Sequence, residues 1–204
     1  MSRVAPELAA EFPGLALRVR RIETAGRRTP EEVRERLRAL GDRYTAARAV
    51  GLRLEAVPWA YRVFFRHVGL DPDERRTPAE AVALRRLREG GFRSEGLLAD
   101  AMTIATAETG VALVAFDAAA VSGEPELRLS RAGERLEPGA APLPPGRLVV
   151  ADAARVLALL FVAVAADAEP RGERVVLCAV QVPGVPDASV EEALWTVAEI
   201  AGRR

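Results

Sequence analysis

The 204-residue chain has no lysine and no asparagine, and holds one glutamine (Gln181), one cysteine (Cys178) and one histidine (His67). Each scarcity excludes something. A lone cysteine forms no internal disulfide, and one cysteine with one histidine makes no cluster at metal-ligand spacing. Cys178 lies inside the apolar run from Val175 to Val180, where a small core residue is the expected role. The 29 basic residues, all arginine, are balanced by 29 acidic ones. A chain without net charge carries no global field to gather DNA or RNA, so any nucleic-acid contact must be local. The sequence contains neither a P-loop nor a dinucleotide-binding glycine fingerprint, and no metal or cofactor is expected. The longest apolar run, Val156 to Ala166, falls short of the roughly 20 residues that cross a bilayer. Acidic residues stand near the N-terminus where a signal peptide needs an apolar core, so a cytoplasmic protein without membrane contact is expected.

What is present is ordinary for a soluble globular chain: 50% hydrophobic and 28% charged residues. No linker divides it, and one domain over 1–204 is expected, with an N-terminal strand and helices over 1–55, a core over 56–182 and a terminal helix over 188–202. Leu15 to Ile22 alternates apolar and polar residues, the period of a half-buried strand. Thr29-Pro30-Glu31-Glu32 and Thr77-Pro78-Ala79-Glu80 read as capping boxes opening helices that close near Gly41 and Gly90. Pro58 opens a further helix carrying Trp59, Tyr61, Phe64 and Phe65, and Ser189 caps the last one. A second, short helix is expected over 42–49. From Val111 the period changes. Ala112–Phe116, Glu126–Ser130, Leu148–Ala151, Val156–Ala165 and Arg174–Val182 read as strands between turn-rich pieces. Helices segregated from strands imply an α+β fold with a mixed or antiparallel sheet flanked by helices.

The segment Asp100 to Asp117, D-A-M-T-I-A-T-A-E-T-G-V-A-L-V-A-F-D, resembles the tRNA-editing (B3/B4) domain of the phenylalanyl-tRNA synthetase beta subunit, whose corresponding segment runs D-x-T-N-x-x-x-x-E-x-G-x-P-L-H-x-F-D. Both aspartates, Glu108, Gly110, Leu113 and Phe116 fall in step. Arg75 to Arg86, the turn Gly133-Glu134 and the strand end Val149 to Asp152 resemble further family segments, in the family's order. The likeness covers roughly Ala56 to Val182 and implies a stand-alone relative of the editing domain. Its expected partner is tRNA or the aminoacyl-tRNA 3′ end, with hydrolysis of a mischarged ester in trans as the activity. By the same resemblance the pocket asparagine falls on Thr103, the proline on Ala112, the histidine on Val114 and a late-strand glutamate on Gln181. The family's glycine-rich loop falls within Leu157 to Ala166, where this chain has no glycine. Valine at 114 can orient neither a water nor a ribose hydroxyl, and glutamine at 181 lacks the carboxylate charge.

Read as chemistry, Glu108 and Gln181 are the candidates for a catalytic role. Thr103, Ala112, Val114 and Gln181 are the candidates for binding, with Arg62 and Arg76 available to a phosphate. Asp100 and Asp117 are expected to pin turns through backbone N–H groups, with Glu108 balanced between structure and general-base work. His67 is expected at a helix end rather than in a site. The arginines from Arg62 to Arg88 with the neighbouring aromatics form either an RNA-contacting face or a core stripe with paired cations, and helical spacing favours the core for most of the aromatics. Two competing classes remain: a non-catalytic module binding an amino acid, a small metabolite or a protein in the inherited cleft, and a homo-oligomer whose cleft its own side chains fill.

Overall fold

The computed structural model describes residues 3–203. Among the described residues seven α-helices accompany two antiparallel sheets, an α+β fold as expected from the segregated periods. The first sheet has three strands in the order β1 (Ala16–Glu23), β7 (Arg174–Gln181), β2 (Ala112–Asp117). The second is a meander of β3 (Glu126–Leu129), β4 (Leu148–Ala151), β5 (Val156–Leu159) and β6 (Ala163–Val164). In the first, β7 lies between its partners, with Leu17 and Ala112 both opposite Val180. A strand flanked on both sides and covered by helices reads as a continuous apolar run, which is why Val175–Val180 is fully buried. Cys178 lies within that run, and burial pushes its thiol up to about 12, as suits an inert core residue.

Helix α1 (Pro6–Glu11) precedes β1, and α2 (Glu31–Arg43) and α3 (Ala46–Gly51) follow it. Then come α4 (Ala56–His67), α5 (Pro78–Glu89) and α6 (Leu97–Thr109), and α7 (Asp187–Ala201) closes the chain. The terminal helix α7 packs on β7, β1 and α6, while α2 and α5 pack against α6 from elsewhere. Thus α6 is enclosed on several sides and buries residues around its whole circumference, including Leu97, Asp100, Ala101, Ile104 and Ala107. That explains why no amphipathic period marks it in the sequence. The positive φ of Gly110 (77°) ends α6, and a Cβ there would meet Val57 Cγ1 at 3.0 Å, so both conformation and space demand glycine.

Three expectations shift. The capping box at Thr77 forms, with the Glu80 carboxylate taking Thr77 N–H at 3.1 Å and its hydroxyl at 2.7 Å. The one at Thr29 does not: Pro30 is the N-cap, and the Thr29 hydroxyl bonds Asp100 instead. The last helix likewise starts at Asp187 behind Pro186, before Ser189. The run 156–165 breaks into β5 and β6 around Phe161, which takes φ 60°. No helix among the described residues is long and apolar enough to cross a membrane.

Candidate functional site

The two sheets do not join edge to edge. Strand β2 ends the first sheet and β6 ends the second, and the gap between these outer strands is closed at one end where Asp117 N–H bonds the Ala168 carbonyl at 2.9 Å. Two hollows lie in this gap. One, of about 430 Å³, is walled by Phe65, Ala112, Val114, Leu160 and Val180 among others, with Arg76 and Glu169 as its charged lining. The other, also about 430 Å³, runs past Leu98 and Met102 of α6, Leu113 to Ala115 of β2, and the turn Glu169 to Gly172. Leu113, Val114, Val164 and Glu169 line both, so the hollows form one trough along β2.

Each wall is fixed by a specific device. Tyr61, fully buried on α4, inserts its hydroxyl between β2 and β7: it accepts from Ala112 N–H at 2.9 Å and donates to the Val180 carbonyl. Burial raises its phenol far above the usual tyrosine range, so the proton that makes the second bond stays in place. Asp117 accepts from the backbone N–H groups of Ala119, Arg171 and Gly172, at 2.9, 2.9 and 2.7 Å. These bonds hold its carboxyl below the usual range and tie the 169–172 turn to the end of β2. The ring of Phe161 packs 4.7 Å from that of Phe65 and edge-on to Tyr61 and Phe64, so it stands between the trough and a larger hollow of about 1000 Å³ near Phe12, His67 and Arg75.

The candidate residues separate into two groups. Ala112, Val114 and Arg76 converge on the trough. Arg76 also reaches Asp73 at 3.4 Å, and its side chain is 42% exposed, so part of its guanidinium faces water. Thr103, Gln181, Glu108 and Arg62 line neither hollow. The Thr103 hydroxyl is turned to α5, where Arg85 donates to it at 2.8 Å. Gln181 lies on the sheet face opposite Val180 and holds the turn into α7, donating to the Val185 carbonyl at 3.0 Å and to Asp187 at 2.6 Å. Glu108 pairs with Arg36 at 2.7 Å on the α2 side. Arg62 is 4% exposed and clamped by Glu80 at 2.8 Å and Asp73 at 2.7 Å, so its guanidinium is not presented to a phosphate as the sequence suggested. Of the other cations in the basic cluster, Arg75 bonds the Phe161 carbonyl, Arg85 pairs with Glu95 and Arg86 bonds the Gly41 carbonyl, while Trp59 is exposed and Tyr61, Phe64 and Phe65 are core.

The aspartates of the matched segments are structural pins, as expected for Asp100 and Asp117. Asp100 is buried and takes the hydroxyls of Thr29 and Ser94, both at 2.5 Å, and Glu95 N–H at 2.9 Å. In the Gly133-Glu134 turn, Glu134 holds Arg128 in a two-pronged pair at 2.9 and 2.6 Å. Asp152 gathers the N–H groups of Ser122, Ala154 and Arg155. His67 sits exposed in the last turn of α4.

The family model of the B3/4 domain matches residues 60–169, just over half of the chain. The chain belongs to the B3/4 domain family. That family is found in the phenylalanyl-tRNA synthetase beta subunit, where it serves tRNA binding and editing. A comparison with curated proteins finds no match. The B3/4 match runs from α4 to the turn after β6, so it contains Tyr61, Arg76, Ala112, Val114 and Phe161 and leaves out β7 with Gln181. Its last residue is Glu169, a carboxylate that sequence reasoning passed over because Glu169-Pro170-Arg171-Gly172 reads as a plain turn. In the fold Glu169 is exposed, lines both halves of the trough and has no hydrogen-bond or ion-pair partner among the described residues.

Proposed function

We propose that this B3/4-domain protein acts in the cytoplasm as a single functional unit that binds the aminoacyl end of tRNA in the trough and hydrolyses the mischarged ester in trans. The observation that carries the reading is the convergence of Ala112, Val114, Arg76 and Glu169 on one apolar hollow of about 430 Å³. Its walls suit an apolar amino-acid side chain. Apart from Arg76 and Glu169 the lining holds no polar side chain, so a substrate hydroxyl or ring nitrogen set against its apolar walls loses its water without gaining a partner, and such side chains are disfavoured. Glu169 offers the carboxylate that an α-ammonium needs, and Arg76 offers a cation to the terminal phosphate. In the reaction, water adds to the ester carbonyl carbon, the bond to the ribose oxygen breaks, and that oxygen leaves with a proton, giving free amino acid and uncharged tRNA.

Deacylation of a panel of misacylated and D-aminoacyl-tRNAs tests this reading. Release of apolar amino acids, lost in Glu169→Gln, supports it. No release from any member, together with no tRNA binding at low salt, rejects it. A second reading, capture of an aminoacyl group or a free amino acid without hydrolysis, is favoured by one feature: Val114 stands where the resemblance places a histidine, and its side chain cannot orient a water. Binding of charged tRNA with no release would select it.

A further inference from the structure

The backbone edge of β2 is half committed. Ala112 N–H and the Val180 carbonyl meet through Tyr61, and Ala112, Val114 and Phe116 lie opposite Val180, Cys178 and Val176, so this set of residues directs its backbone groups to β7. Asp117 N–H points the other way, to Ala168. Strand groups alternate, so Leu113 and Ala115 direct both N–H and C=O outward into the trough. No backbone or side-chain partner among the described residues meets those four groups. Yet the Ala115 residue is only 6% exposed. Leu113 is partly buried. Buried backbone groups are nearly always satisfied, so the lack of a protein partner for those of Ala115, continued by those of Leu113, is an unmet demand along the hollow.

The demand has a specific shape. One amino-acid unit in extended form presents a nitrogen donor and a carbonyl acceptor at strand spacing, which is what a strand edge recognises. Glu169 lies at the junction of the two hollows, beside Leu113. Arg27 and Arg171 line the half that holds Ala115 and not the apolar half. The trough therefore runs from the apolar hollow, past the carboxylate, to a half that holds the open strand edge and the arginines. We infer that the free edge of β2 at Leu113 and Ala115 is the element that recognises the main chain of the bound amino acid. The Leu113 carbonyl and Glu169 take its α-ammonium, Ala115 N–H donates to its acyl oxygen, and its apolar side chain fills the hollow beside Val114 and Phe65. The ester oxygen then points toward Arg27 and Arg171, where a nucleotide continues. This assignment rests on the aminoacyl-binding reading above, and it makes recognition independent of any polar side chain at 112 or 114.

Proline at 115 is the discriminating variant. It deletes an outward N–H while leaving the ladder to β7 intact, and proline is tolerated on edge strands in that orientation. Leucinamide and N-acetyl-leucinamide serve as uncharged-leaving-group probes, titrated against 15N-labelled protein. Leucinamide is expected to move the Leu113 and Ala115 amide resonances in the wild type. Its affinity should fall on the order of tenfold in Ala115→Pro, the worth of one hydrogen bond, and in Glu169→Gln. N-acetyl-leucinamide, which lacks the ammonium, is expected to bind weakly to every form. Shifts in the wild type confined to other residues overturn the assignment without needing any variant. So does wild-type affinity in a folded Ala115→Pro. If charged tRNA is bound and deacylated while Ala115→Pro behaves as wild type, the edge assignment fails and the functional reading stands. If leucinamide marks the edge but charged tRNA is neither bound nor cleaved, the functional reading fails alone.

Discussion

Replacing Phe161 separates backbone strain from packing in the loop that divides the trough from the larger hollow. Phe161 holds φ 60°, a conformation that costs an L-residue about 1–2 kcal/mol. Its ring is half-buried and packs 4.7 Å from Phe65. Full burial of a phenylalanine is worth about 3–5 kcal/mol against alanine, so half-burial suggests about 2, with roughly 1 more from the aromatic contacts. Phe161→Ala forfeits that packing and keeps the strain, for a loss of about 3 kcal/mol. Phe161→Gly forfeits the same packing, relieves the strain, and adds about 0.5–1 kcal/mol of unfolded-chain entropy, for a loss of about 2. Glycine should therefore be the milder change, by about 1 kcal/mol, or roughly 2–4 °C in melting temperature for a chain of this size. Urea denaturation of the wild type and both variants measures the order. An alanine variant as stable as the glycine variant, or more so, would refute the claim that Phe161 is held in strain by its ring contacts.

Three further outcomes follow from named contacts. Tyr61→Phe leaves Ala112 N–H and the Val180 carbonyl buried without partners, and should lower stability by about 1–3 kcal/mol while speeding exchange of the Ala112 amide. Asp117→Asn should cost about 1 kcal/mol at neutral pH through weaker bonds to the 169–172 turn. Because the folded carboxyl is held below the ordinary value of 3.8, its contribution is full above that value and is lost as the pH falls through the folded one. The difference between Asp117→Asn and wild type should accordingly shrink below about pH 4, as melting curves from pH 7 to pH 2.5 can check. Arg62→Ala strands Glu80 in the interior and should cost about 3 kcal/mol, whereas the same change at exposed Arg76 should leave the melting temperature nearly unchanged and weaken tRNA binding.

Strands and helices were legible wherever one face alone is buried. The alternation of β1 and the stripe of Val33, Leu37 and Leu40 in α2 each announce their element. Helix α6 was hidden because neighbours surround it, and the break after β5 was hidden because a phenylalanine occupies a backbone state that the eye expects of glycine. Site residues divided by a similar logic. Ala112 and Val114 reach the trough because β2 is the edge strand of its sheet and the trough runs along it. Thr103 and Gln181 sit one step out of phase, on α6 toward Arg85 and on the far face of β7. Arg62 reads in the sequence as one more surface cation until Glu80 and Asp73 close on it. Glu169 carries no local signal, since its meaning arises only where two sheet edges face each other.

The most direct measurement compares equilibrium binding of one tRNA, charged with an apolar amino acid through a non-hydrolysable amide linkage, with the same tRNA uncharged, to the wild type and to Val114→Arg. Preference for the charged form by an order of magnitude, erased when arginine fills the trough, is the predicted result. Equal affinity for both forms, or a preference that survives Val114→Arg, would contradict an aminoacyl-accepting trough along β2.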